Sequence, residues 1–297
     1  MWSRALAVVA VVTGAGCNQL FGLDSVAVDA DGGGGEIDAA PLPPWSVPTP
    51  IAGVSSAVTI DEDPEMSHDG LELYLARRST TAGLPHDIIR YVRSEPGLPW
   101  ISAPPIETIN STETDWTPRL STDDLTMYFA STRDGLADVW TAKRGSLLVE
   151  WGAPSSLSIP PLNGPAEERG AMPCNGGSRF VFTSLRSGTL DLFEIPLGGA
   201  ATPIPGASDA GYAEISPFIS EDCLTLYFSS TEFGDPDLMV MTRTGVDAPW
   251  TSPQPIPALS TEDHEGDPWV SADGRHLVLA IDVLPVDGDY DLYESFR

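Results

Sequence analysis

Hydrophobic positions along this chain cluster in short runs, and no stretch of useful length keeps a helical period. Five runs stand out, at residues 71–75, 125–129, 180–182, 224–228 and 277–279. Each is short, β-rich and apolar on both alternating faces, which predicts a strand covered on both sides, as in a sheet packed between neighbours. Turn residues precede four of them: Asp69-Gly70, Asp123-Asp124, Gly176-Gly177 and Asp273-Gly274. Such residues tolerate positive φ and mark tight hairpins.

Three landmarks recur in phase with these strands. Prolines 64, 118, 173, 217 and 268 are spaced 54, 55, 44 and 51 residues apart. An Asp followed by an aliphatic residue recurs at Asp87, Asp138, Asp191, Asp237 and Asp291. A Trp with Pro three or four places on recurs at Trp45, Trp100, Trp151 and Trp250. Self-similarity at this period signals a propeller or solenoid. One complete copy occupies residues 111–144, and each unit predicts four strands. The last unit stops at Arg297 after its third strand, whereas residues 45–56 supply a fourth strand with no first three. The expected fold is therefore all-β, a five-bladed β-propeller of four-stranded antiparallel blades closed by the N-terminal strand. Closure removes the exposed edges of an open array.

The motif that runs Pro-x-Ile/Leu-Ser-x-Asp-Gly, Leu-Tyr-Phe-x-Ser-x-Arg, then Asp-Ile/Leu/Val-aromatic is carried nearly whole by residues 118–140. It resembles the repeat of TolB-type, WD-like β-propellers, over about residues 45–297. The third unit departs, with Pro173-Cys174-Asn175-Gly176-Gly177 in place of the Ser-x-Asp-Gly turn and no closing Trp. The resemblance implies an envelope or extracytoplasmic propeller, often one that binds proteins. It implies no single activity, because this fold hosts many.

The N-terminus reads as an export signal. Arg4 supplies a positive start, residues 5–12 an apolar core, and Gly14-Ala15-Gly16 a small-residue cleavage zone. The apolar run is shorter than the roughly 20 residues a spanning helix needs. Cys17 after small residues resembles the lipobox of bacterial lipoproteins, although Gly14 stands where that motif usually carries Leu. The resemblance implies acylation of Cys17, and Asn18 after it fits the outer membrane. Residues 18–44, with four consecutive glycines, scattered Asp and a closing Pro cluster, read as a flexible tether. Residues 1–17 are thus the expected signal, 18–44 the linker and 45–297 the propeller.

Charge narrows the partners. The chain has 43 acidic residues against 15 basic ones, of which Lys143 alone is lysine, for a net charge of −28. Nucleic acid and anionic headgroups would be repelled, so membrane contact is expected through the lipid anchor only. Envelope proteins, glycans and cations remain. Cys174 and Cys223 sit at different positions of adjacent units, which leaves a disulfide open in an exported chain.

The chemistry-bearing candidates are carboxylates three places before the prolines: Asp61, Asp115, Glu214 and Glu265, with Asp63 and Asp267 immediately before theirs. The third unit has Gly170 there and Glu167-Glu168 earlier. Leading into the innermost strands, these carboxylates are expected to surround one channel mouth, with Trp116 and Trp269 beside them. Such a ring could hold a hard cation such as Ca2+ through oxygen ligands, or supply the two carboxylates of a glycosidase. No cofactor is otherwise called for. His68, His86, His264 and His276 fall at unlike positions without metal spacing, and no G-x-S-x-G elbow occurs. The function expected is a tethered envelope propeller serving as a non-catalytic protein-binding platform. The alternative is a carbohydrate-binding or glycoside-cleaving propeller that uses the mouth carboxylates.

Overall fold

The structure is a computed structural model that describes residues 42–81, 83–157, 159, 161–208, 211–282 and 289–297. The export signal, Cys17 and the linker up to residue 41 lie outside the described residues.

Leu42–Arg297 forms one compact unit of five four-stranded antiparallel sheets. Blade one comprises β2 (Thr59–Met66), β3 (Glu72–Ser79), β4 (Asp87–Val92) and β5 (Ile101–Ser102). Blade two comprises β6 (Asp115–Leu120), β7 (Thr126–Ser131), β8 (Asp138–Lys143) and β9 (Ser155–Ser156). Blade three comprises β10 (Glu168–Cys174), β11 (Arg179–Ser184), β12 (Asp191–Pro196) and β13 (Thr202–Pro203). Blade four comprises β14 (Glu214–Ile219), β15 (Thr225–Ser230), β16 (Asp237–Thr242) and β17 (Gln254–Pro255). Blade five comprises β18 (His264–Val270), β19 (His276–Asp282) and β20 (Tyr290–Phe296), completed by β1 (Thr49–Pro50). Thr49 pairs with Glu294 and Pro50 with Tyr293, so the N-terminal strand closes the ring as the strand count requires.

The doubly apolar runs are the second strands of each blade. Leu73, Leu75, Phe182, Phe228, Leu277 and Leu279 are fully buried there, packed from both sides. The Trp landmark has a chemical cause. Arg93, Arg144, Arg243 and Arg297 lie over Trp100, Trp151, Trp250 and Trp45 at 4.1–4.5 Å from the ring centres. Each guanidinium also donates to a carbonyl of its blade's first hairpin turn: Gly70, Asp124, Cys223 and Gly274. Arg144 and Arg243 then reach the preceding blade, at Glu72 (2.7 Å) and Glu194 (2.8 Å). Arginine suits this work because its planar fork stacks and donates at once. Blade three lacks the pair, with Leu197 where the arginine would stand.

Every inner strand carries a bulge, between Glu62 and Glu65, Trp116 and Arg119, Arg169 and Met172, Ile215 and Phe218, and Gly266 and Trp269. The bulged residues Asp63, Thr117, Gly170, Ser216 and Asp267 all take φ between 51° and 61°. In four blades Pro follows the bulged residue, but in blade three Ala171 does. Pro173 is therefore not the counterpart of the other prolines, and the reading of blade three from it is corrected by two residues. Glu168 is the blade's equivalent of Asp61, Asp115, Glu214 and Glu265, so the acidic series is unbroken.

Candidate functional site

The five repeated carboxylates begin the inner strands but do not line the channel. They are buried inside the blades, where they staple each inner strand to the crossover before it. Asp61 accepts from Arg77 (2.7 Å), Asp115 from Arg133 (2.6 Å) and Glu168 from Arg186 (3.0 Å). The same arginines donate at 2.7 Å to the crossover carbonyls of Val54, Ile109 and Leu162. Backbone N–H groups four residues upstream complete the staple, from Ser111 to Asp115, Gly164 to Glu168 and Thr261 to Glu265. Blade four has Glu232 in place of the arginine, and Glu214 accepts from the Ser230 hydroxyl at 3.5 Å. A carboxylate with these partners is a structural device repeated per blade.

Two cavities lie at opposite ends of the inner strands. The narrow mouth, about 390 Å3, lies at the starts of the inner strands and is lined by Glu62, Asp63, His86, Trp116, Arg169 and Asp267 among others. Here the bulged residues bond around the axis. Asp267 accepts from the Asp63 N–H (3.2 Å), Asp63 from the Thr117 N–H (3.3 Å), and Thr117 Oγ1 from the Gly170 N–H (3.1 Å). Ser216 bonds the Asp267 side chain. Positive φ at a non-glycine residue costs about 1–2 kcal/mol, and the bond each bulge makes to its neighbour offsets it. At the rim His86 Nε2 meets Glu62 Oε2 at 2.8 Å. Burial and the neighbouring Asp267 push the Asp63 carboxyl well up, and burial with Glu62 pushes Asp267 up.

The wide mouth, about 650 Å3, lies at the opposite ends of the inner strands. Its walls include Met172, Phe218, Tyr227 and Trp269, and its floor includes Glu65. Phe218 stands edge-on to Trp269, with ring centres 6.4 Å apart, and tilted to Tyr227 at 6.5 Å. Arg119, fully buried, acts electrostatically on Glu65, Asp63 and Asp267 alike. Its Nη1 lies 3.6 Å from Glu65 Oε2 and donates to the carbonyl of Pro64, while Nε and Nη2 have no hydrogen-bond partner among the described residues. Glu65 Oε1 accepts from the Leu120 N–H at 2.9 Å. Burial holds the Glu65 carboxyl at about 7 despite Arg119 and that N–H.

Of the residues singled out from sequence, Trp116 and Asp267 do share the narrow mouth. Trp269 does not join them. It follows the bulge whereas Trp116 precedes it, which carries it along the strand to the wide mouth. Asp61, Asp115, Glu214 and Glu265 line neither cavity. Glu65 and Arg119 went unnoticed, although a signal existed. The inner-strand position right after the Pro reads Glu65, Arg119, Phe218 and Trp269, so two ionisable residues occupy a position otherwise apolar.

The raised carboxyls give stability a pH dependence. Burial places Glu265, like Glu65, at about 7, above an ordinary Glu near 4.5. Between those values the folded chain holds protons that the unfolded chain releases. Stability therefore falls as pH rises from about 4.5 to 7 and levels off above. His68, raised by its bond to Asp124, adds in the same direction, since its contribution is lost as pH climbs through its folded value. The Tm by circular dichroism is expected to be higher at pH 5 than at pH 8, with a shallower slope for Glu65→Gln. A Tm that climbs from pH 5 to pH 8 would contradict this assignment.

Solved structures with similar folds fall into two groups. A putative TolB from Agrobacterium tumefaciens superposes with a TM-score of 0.50 at 16% identity, over 80% of this chain and 90% of that one. The endo-arabinase of Bacteroides thetaiotaomicron VPI-5482 gives 0.57 at 14%, over 85% and 97%. Zg3597, a family 117 glycoside hydrolase of Zobellia galactanivorans, gives 0.57 at 12%, over 85% and 90%. The similarity is one of fold. It agrees with the TolB-type resemblance of the repeats, and TolB and glycoside hydrolase propellers stand side by side in it. No protein-family model and no curated protein sequence matches the chain.

Proposed function

We propose that this protein is an envelope-tethered, non-catalytic binding platform that presents a channel mouth of its propeller to a protein partner. The supporting observation is the engagement of the repeated carboxylates. Asp61, Asp115 and Glu168 are each tied to an arginine inside the blade, and Glu265 is tied to Thr261, which leaves them as staples. The tether and lipid anchor at Cys17 belong to this reading as expectations from sequence. Residues 42–297, tagged and passed through an envelope extract, should retain one protein in stoichiometric amount. Retention of polysaccharide without protein would turn the reading over.

A second reading, glycan binding or cleavage, is favoured by the narrow mouth alone. There Trp116 lies with Asp63 and Asp267, an aromatic face beside two carboxyls whose affinities for protons are raised. Release of reducing sugar by the wild type, lost in Asp267→Asn, would establish it. Glycan-free behaviour in that assay leaves the platform reading in place.

A further inference from the structure

We propose that the wide mouth is a receptor for a basic side chain, Lys or Arg, of a protein partner, with Glu65 as its counter-ion and Phe218, Tyr227 and Trp269 as its walls. The inference rests on the platform reading and assigns its contact point.

Four observations carry it. Glu65 is 2% exposed and lines the cavity, and its Oε2 has no hydrogen-bond partner among the described residues. The nearest cation to that oxygen is Arg119 Nη1 at 3.6 Å, beyond hydrogen-bond reach, and a buried carboxylate oxygen left without a donor costs free energy, so a donor entering the cavity would be favoured. The lining is aromatic, and aromatic rings attract cations through the ring quadrupole and pack the alkyl stem of Lys or Arg. The rim bears Glu221, Asp222 and Asp273 against Arg297 and the exposed His68, so acidic groups outnumber basic ones there. Finally, the rim is built before any ligand arrives. Glu221 of blade four accepts from Thr122 of blade two (2.6 Å) and from the Gly176 N–H of blade three (3.1 Å), and the Cys174–Cys223 disulfide fastens blades three and four beside it. Pre-organisation of this kind lowers the entropy lost on binding.

Arg119 sets the limit on ligand charge. It already lies 3.6 Å from Glu65, but Asp63 and Asp267 also attract it from the narrow side, so three buried carboxyls share one buried guanidinium. Of the three, Glu65 alone lines the wide mouth, so an added cation finds its counter-ion there and an added anion does not. Binding should also release a proton from Glu65, whose surroundings are Arg119, His68 and Asp124, and should tighten from pH 6 to pH 8. His68, whose bond to Asp124 raises its affinity for a proton, adds in the same sense as it loses that proton.

The test uses the full chain and three blocked tripeptides, Gly-Lys-Gly, Gly-Arg-Gly and Gly-norleucine-Gly, followed by tryptophan fluorescence and calorimetry. The Lys and Arg peptides should bind at least tenfold more tightly than the norleucine peptide at low salt. Glu65→Gln should erase that preference while keeping its thermal transition. Should Glu65→Gln fail to fold, Phe218→Leu gives the second readout, a severalfold loss for all three peptides. Equal binding of the Lys and norleucine peptides, or no binding of any, overturns the proposal. The same two proteins are then passed through the envelope extract. A partner retained equally by wild type and Glu65→Gln preserves the platform and removes this pocket from it. Selective peptide binding with no partner retained removes the platform and keeps the pocket.

Discussion

A chain that begins at residue 57 should lose cooperative unfolding and associate, whereas one that begins at Leu42 should melt in a single transition. The removed segment is joined to both of its neighbours. On blade five, Ser46 donates to the Phe296 carbonyl (2.8 Å), Ile51 to that of Leu292 (2.9 Å), and Trp45 lies under Arg297 at 4.1 Å. On blade one, the Val54 carbonyl accepts from Arg77 (2.7 Å) and Tyr91 (3.0 Å), which ties the segment to the Asp61 staple. Removing it opens the edge of β20, takes the Val54 carbonyl from Arg77 and Tyr91, and strips Trp45 from beneath Arg297. An unprotected sheet edge is a template for association. The point version is Trp45→Ala. Trp45 is 6% exposed, and emptying such a site costs about 3–5 kcal/mol. Circular dichroism melts and gel filtration of the three chains decide the matter. A truncated chain that stays monomeric with an unchanged Tm would show that closure contributes nothing.

Loss of the Cys174–Cys223 disulfide should be the next largest effect. The bridge spans 49 residues, and a loop of that size is worth about 4 kcal/mol through the unfolded chain. For a propeller of this size the double Cys→Ser variant should melt roughly 10 °C lower. Reduction of the wild type should reproduce the loss. Cys174 ends an inner strand and Cys223 sits in a hairpin turn at φ 60°, in the turn position that Gly70, Asp124 and Gly274 occupy in other blades. Across the first interface His68 meets Asp124 from the same turn position, with His68 Nδ1 2.9 Å from Asp124 Oδ1. The covalent bridge and the ion pair are two solutions to one problem, the fastening of neighbouring blades at the wide rim. The disulfide variant should therefore also loosen that rim, read as faster hydrogen exchange at Gly176, whose N–H is held by Glu221.

The two raised glutamates illustrate how the blades divide labour. Glu265 is buried in a staple, with Thr261 as its partner. Glu65 is buried at a cavity floor, with one oxygen unmet. Both carboxyls rise for the same physical reason, desolvation, and only the surroundings separate a structural group from a candidate for binding.

Blade number, strand order and ring closure were legible in the sequence because they follow from local periodicity. The doubly apolar second strands, the Asp-Gly turns and the Trp that meets Arg recur in each copy that has them, and a strand without a sheet at one end needs a sheet without a strand at the other. What went unread depends on groups distant in the chain. The proline landmark misled in blade three because Pro is tolerated at a bulge and not required there. The bulge itself is a property of pairing between two strands, and it alone aligns Glu168 with the other acids. The repeated carboxylates gave no sign of facing inward to arginines 16 to 18 residues on, since an acid leading a strand looks the same whether it meets Arg or water. Trp116 and Trp269 stand on opposite sides of their bulges, which puts the first at the narrow mouth and the second at the wide one. Placing Glu65, Arg119, Phe218 and Trp269 around one axis took the closed ring, because each comes from a different inner strand and only closure brings those strands together.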